Sequence, residues 1–244
     1  LRPIFAFPRL DREFASSLKS AKIAYIVPSR QVFIPPSVIL ESDRAYADYE
    51  KPLGAHLTPW AQVVLLDCLL HEQLPDVVQF STLRARLKIT PVNLSRASRE
   101  LERRGLARII HPGRDAGIEF TFDKKRIWNK ASPVFVSPIR YSVRIKVKVK
   151  GTIKSGISAL SETTDIVDNN FLTLALSAKE AKKIPTSKML RYEGDVVEAW
   201  RYDPLLLNDN KDIVDPLSLC ISLRDSPDPR IQIAIEQLLE KTLW

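Results

Sequence analysis

The sequence predicts an α+β fold, and three observations carry that prediction. A capping residue followed by proline stands at the head of an apolar-patterned segment at Thr58-Pro59, Thr90-Pro91, Asp215-Pro216 and Asp228-Pro229. Such a pair offers a side-chain oxygen to a free helix amide and pre-sets φ where no N–H is needed, so each marks a helix start. Val143, Ile145, Val147 and Val149 alternate strictly with Arg144, Lys146, Lys148 and Lys150, the period of a half-buried strand. Two β-like runs, Leu106 to Ile110 and Ile118 to Phe122, bracket the Gly/Pro/Asp-rich segment 111–117, which predicts a hairpin.

Composition bounds the rest. A chain of 244 residues can hold one large domain or two, each with a real core. Its 45% hydrophobic and 27% charged content is ordinary for a globular protein. No apolar run approaches a membrane span and no signal peptide is visible, although a first residue of Leu1 rather than Met leaves a lost targeting segment open. Cys68 and Cys220 stand far apart in apolar surroundings, which predicts two buried thiols and a reducing, cytoplasmic setting. The net charge of +8 is uneven: residues 58–150 hold 18 Lys and Arg against 8 Asp and Glu, while the remainder is nearly neutral. All the positive excess therefore lies mid-chain, as a polyanion-binding domain between neutral flanks would have it.

Taken in order, residues 1–22 read as a proline-bounded approach and a short helix with Leu10, Phe14 and Leu18 on its apolar side. Ala24 to Val27 and Gln31 to Ile34 read as two strands, the second ended by Pro35-Pro36 because proline donates nothing to a ladder. Residues 41–57 read as a linker. From Thr58-Pro59 a helix runs through Val63, Leu66 and Leu70 to about Glu72, apolar on most sides and so expected to be buried. Residues 73–78 read as a loop, and Phe80 to Leu87 as a short helix with Leu83 and Leu87 inward.

The next helix, 91–104, is the most informative stretch. Thr90 caps it, Pro91 opens it, and Gly105 can take the left-handed conformation that ends it. At 100° per residue Leu94, Ala97 and Leu101 share one side with Ser98 beside them, while Arg96, Arg99 and Arg103 fall opposite, in line with Val92. A short helix, a tight turn and an arginine-striped helix make a helix-turn-helix, and the hairpin that follows is its wing. Such a stripe is more often a solvated face than a binding one; the order of flanking elements favours binding here.

Residues 58–128 resemble a MarR-type winged-helix regulator. Ser95-Arg96-Ala97-Ser98-Arg99-Glu100-Leu101-Glu102-Arg103-Arg104-Gly105-Leu106 is similar to that family's "S-R-x-x-x-x-L-E-x-x-G-L" recognition-helix signature. The layout with its flanking domains also resembles winged-helix proteins related to AbiEi-type antitoxins, which implies a transcriptional regulator, often of its own operon. The long C-terminal extension departs from a compact MarR regulator, so that family's helical dimer interface and phenolic-ligand pocket are not carried over.

Beyond the wing, the strand from Tyr141 has a cationic face that either extends a nucleic-acid surface or protects and solubilises an edge. Residues 156–168 read as a helix, 171–176 as a core strand, 178–184 as a short lysine-rich helix and 196–202 as a strand. Helices over 217–223 and 231–243 close the chain, the last with Ile231, Ile235, Leu238 and Leu239 on one face.

No catalytic constellation is visible. His56, His71 and His111 lack metal-ligand spacing, and the phosphate-cradling loops G-x-x-x-x-G-K-[ST] and G-x-G-x-x-G are absent. Gly156-Ile157-Ser158 with Asp165 and Asp168 comes nearest to a nucleotidyltransferase pattern, but both spacings are wrong, and a helix start with a polar turn accounts for them better.

The expected architecture is thus an N-terminal helix and hairpin with linker (1–57), a central winged helix-turn-helix (58–130) and a C-terminal α+β domain (131–244) with a regulatory or interaction role. The expected function is sequence-specific, double-stranded DNA-binding transcriptional regulation, with no enzyme activity, no cofactor and no metal. Arg96 and Arg99 are the candidates for bidentate guanine contacts and Asn93 for adenine, with Val92 and Ser95 beside them. Arg103, Arg104, Ser81, Thr82 and Arg84 are expected at phosphates, and Arg114 at the wing tip in a minor groove or on a phosphate. Partners would be double-stranded DNA and a protein held through the C-terminal domain, with no membrane; a homodimer stays open. The alternative is a protein-interaction module or antitoxin-like partner that uses the winged helix and C-terminal domain without specific DNA binding.

Overall fold

The computed structural model describes residues 3–28, 31–34, 38–41, 53–111, 113, 115–146, 149–168, 171–185, 189–190, 193–208 and 212–243. The fold is α+β, and the chain divides into two compact units, residues 1–53 and 54–244.

The first unit is a four-stranded sheet with one helix. Its elements are β1 (Phe5–Ala6), α1 (Arg12–Ser20), β2 (Tyr25–Val27), β3 (Gln31–Ile34) and β4 (Val38–Glu41), in spatial order β1-β2-β3-β4. β1 and β2 run parallel across the α1 crossover, and the other pairs are antiparallel. Asp11 caps α1 by accepting the Phe14 amide at 2.7 Å. Leu18, Tyr25 and Val27 form the small core. Phe14 is not inward as its spacing suggests; it stays 50% exposed and meets Phe7 edge-on. β1 and β4 are additions to the sequence reading, which has only two strands here. Pro35, Pro36 and residues 42–52 of the expected linker lie outside the described residues.

The second unit opens with α2 (Pro59–Leu70), whose residues 61–69 are all buried. β5 (Val77–Gln79), α3 (Phe80–Leu87), α4 (Pro91–Arg103), β6 (Arg108–Ile110) and β7 (Gly117–Glu119) follow. The three strands form an antiparallel sheet in order β5-β7-β6. This is the winged helix-turn-helix arrangement: three helices, a third strand before the second helix, and a hairpin after the third. The sequence reading has a loop over 73–78; β5 is only three residues long and exists through its pairing with β7, a partner forty residues away.

α5 (Lys124–Ala131), capped by Asp123, follows the wing and runs into a 3-10 turn at Ser132–Val134. The remaining elements are β8 (Ile139–Ile145), β9 (Ile153–Lys154), α6 (Gly156–Leu160), β10 (Thr173–Ser177), α7 (Ala178–Ala181), β11 (Met189–Leu190), β12 (Asp195–Trp200), α8 (Pro216–Leu223) and α9 (Pro229–Leu243). The sheet order is β11-β8-β12-β10-β9, with only β10 and β12 parallel. α6 is shorter than the expected 156–168: Thr163 and Thr164 turn their hydroxyls back onto the Leu160 carbonyl and end it. Val147 and Lys148 of the alternating strand lie outside the described residues.

The expected boundary at 130 coincides with no break between compact units. One core joins Leu65 and Leu66 of α2, Leu94 and Leu101 of α4, Trp200 of β12, Leu217 of α8 and Leu238 of α9. Gln62, fully buried on α2, donates to the Val136 carbonyl and accepts the Val136 amide, both at 2.9 Å. A buried amide satisfied reciprocally in this way fastens the winged helix to the chain that leads into β8. Cys68 and Cys220 are buried free thiols, as expected.

Candidate nucleic-acid interface

α4 follows from its sequence. The Thr90 hydroxyl accepts the Asn93 amide at 3.3 Å, and Leu94, Ala97, Ser98 and Leu101 are buried. The Ser98 hydroxyl turns back to the Leu94 carbonyl at 2.9 Å, so the one polar group on the buried face is satisfied. Gly105 has φ +64°, and the Leu106 amide reaches back to the Leu101 carbonyl at 3.0 Å, closing the helix. This packing leaves Val92, Arg96, Arg99 and Arg103 on the exposed face. Asn93 and Ser95 are half-buried at its margin.

Of the expected phosphate contacts, Arg104 is engaged inside the protein instead, and Ser81 is exposed but already partnered. Arg104 points away from the stripe: its side chain is 10% exposed, and Nη2 donates to the carbonyls of Gly54 at 2.8 Å and His56 at 2.9 Å and meets Glu100 Oε1 at 3.3 Å. Glu100 in turn accepts the Thr58 amide at 3.1 Å and hydroxyl at 2.6 Å. Arg104 therefore clamps α4 to the start of α2 and has no reach to a phosphate. Ser81 stays exposed at the start of α3. Its amide donates to Asp115 Oδ2 at 2.9 Å, so a wing carboxylate already caps α3. The Ser81 hydroxyl and amide hold the Asp115 carboxyl below its ordinary range, with a smaller pull from Arg84. Thr82 and Arg84 are exposed as a phosphate role requires. Arg114 lies outside the described residues.

Cations that sequence reasoning did not single out stand nearby. Lys88 sits at φ 49° in the turn between α3 and α4, and Arg108 is exposed where β6 begins. Lys130 donates to the Gly105 carbonyl at 2.9 Å, and Lys130 and Arg126 lie 4.7 and 4.2 Å from the centroid of the Phe122 ring. A basic α5 thus abuts the end of α4; the Lys124-Lys125-Arg126 run was its visible signal. On β8 Arg144 is exposed and its Nη1 donates to the Gly194 carbonyl at 3.4 Å, and Lys146, just past the strand's end, is exposed as well.

Behind the interface, Arg86 of α3 pairs with Asp67 of α2. Burial pushes the Asp67 carboxyl above its ordinary range, and Arg86 offsets only part of that rise. The pair spans the two helices that carry α4 from behind. A polar cleft of about 760 Å³ opens beside it, lined among others by Asp67, His71, Glu72, Lys124 and Lys241, a mixture of both charge signs.

Among the described residues no group of three His, Cys, Asp or Glu could hold a metal ion. Around Gly156 the polar residues serve the fold. Ser158 donates to Asp168 and accepts the Thr173 amide, each at 2.9 Å, and Ser155 and Trp200 donate to Glu198 at 2.7 and 3.2 Å. Gly156 itself has φ +52°, and a Cβ there would come within 2.7 Å of Thr173 Cγ2.

No protein-family model matches the chain, and no curated protein or solved structure is significantly similar to it. Among the described residues no helix is long and apolar enough to cross a membrane.

Proposed function

We propose that this chain is a sequence-specific, double-stranded DNA-binding transcriptional regulator of the cytoplasm, related to the MarR-type winged-helix regulators. The observation that carries the reading is the exposed face of α4: Arg96, Arg99 and Arg103 point outward while Leu94, Ala97 and Leu101 anchor the opposite face in the core. A rigid helix with arginines along its free side can enter a major groove and offer paired donors to guanine O6 and N7. Thr82, Arg84, Lys88 and Arg108 flank it as phosphate contacts, supplying salt-dependent affinity without sequence preference. None of these steps uses a cofactor or a reaction.

A second reading, a protein-interaction or antitoxin-like module, draws on the exposed Val167, Phe171 and Leu172 of the C-terminal half. Duplex DNA binding over a salt series separates the two. Groove reading requires tighter binding to selected than to scrambled duplexes, with affinity falling steeply as salt rises. Absence of duplex binding at low salt would leave the interaction module.

A further inference from the structure

We infer that Val92 reads a thymine through its 5-methyl group, and that this thymine lies about two base steps from the guanine read by Arg96. The inference rests on the groove-reading function proposed above and assigns one position of its site.

Among the described residues from 54 to 166, Val92 is the one large hydrophobic side chain left exposed, at 58%. Its apolar neighbours in the winged helix pack inward, so Val92 adds nothing to the core. It stands in the first turn of α4, the end of a recognition helix that is presented to base edges. Arg96 and Arg99 follow four and seven residues later, so the three side chains share one face. An apolar group amid cations is suited to the thymine methyl, the apolar feature of the base edges in the major groove. Branching at Cβ keeps the valine stiff at χ1, so little rotamer freedom is lost on contact.

Spacing fixes the neighbour. Four residues at about 1.5 Å rise place Val92 and Arg96 roughly 6 Å apart along the helix. Base pairs rise about 3.4 Å, so 6 Å spans about two steps. A helix lying along the groove then sets the methyl contact about two positions from the Arg96 guanine.

The experiment selects duplex sites from random DNA with the full chain, then replaces each thymine of the selected site in turn with deoxyuridine. That base keeps every hydrogen-bonding group and lacks only the methyl. One position should cost the wild-type protein about fourfold in affinity, the worth of one buried methyl-sized group. Val92→Ala should bind thymine and deoxyuridine at that position alike while melting as wild type does. If no deoxyuridine position weakens wild-type binding, or if Val92→Ala loses as much as wild type, the assignment is overturned and groove reading stands. If the chain binds no duplex at all, both fall together.

Discussion

Arg104, the residue that caps the C-terminal end of α4, and Glu100, one turn before it, close on each other at 3.3 Å, with both side chains nearly buried. Their remaining bonds go to Gly54, His56 and Thr58, so the pair ties the end of the arginine-bearing helix to the start of α2. Arg103, the preceding residue, stays on the exposed face. Two adjacent arginines thus stand in opposite environments, and mutation should separate them.

Arg104→Ala should destabilise the fold by about 3 kcal/mol, because it leaves a desolvated Glu100 carboxylate without its cation. At a temperature where the variant is folded, the salt dependence of its DNA binding should match wild type. Denaturant melts and binding titrations of the same sample check this. A fold of unchanged stability together with a reduced salt slope would return Arg104 to the phosphate-contacting group.

Leu101 is fully buried between α4 and the core shared with α2. Leu101→Ala should cost about 2–5 kcal/mol, the range for a leucine deleted from a packed site. Because the core is continuous from α2 to α9, one cooperative transition of residues 54–244 should shift as a whole. Separate early melting of the winged helix, read by hydrogen exchange, would contradict the shared core.

Asp215 caps α8 by accepting the Ser218 amide at 2.8 Å, and its burial pushes the carboxyl up to about 6. Its folded value lies above the unfolded one, so the folded state holds the proton more tightly. The stability from this group is fully present below about pH 4 and is lost as pH rises towards 6, by about 3 kcal/mol. Asp215→Asn keeps a capping oxygen and removes the titration. The difference in unfolding free energy between wild type and Asp215→Asn should therefore move in favour of the variant between pH 4 and 6 and level off above. A difference independent of pH would show that Asp215 does not titrate on folding.

Local signals make most of α4 and its exposed face legible in the sequence. Thr90-Pro91, the spacing of Leu94, Ala97 and Leu101, and Gly105 each act within a few residues, so α4 and its exposed stripe can be read directly. What escaped depends on distant partners. β5 is three residues held by β7, and α5 has half its eight positions charged, with Ile127, Trp128 and Ala131 buried by packing. Arg104 differs from Arg103 only by the 100° turn that carries it to Gly54 and His56. Ser81 is engaged by Asp115, thirty-four residues on. The absence of a division at 130 follows from side chains of α2 meeting α8 and α9, contacts that no local pattern encodes.

Arg96 and Arg99 carry the proposed function, and their roles are separable from stability because both are exposed and neither packs in the core. A bidentate arginine–guanine contact is worth about 1–3 kcal/mol of discrimination, whereas a phosphate contact weakens all sequences alike. Arg96→Ala and Arg99→Ala should each lower affinity for a selected site by about fivefold to a hundredfold more than for scrambled DNA, with melting near wild type. Arg84→Ala, by contrast, should weaken both duplexes equally and lower the salt slope by about one. Measuring all three variants on both duplexes at fixed salt makes the comparison internal. Equal losses for Arg96→Ala on selected and scrambled DNA would make it another backbone contact, and no loss from any of the three would move the function away from α4 altogether.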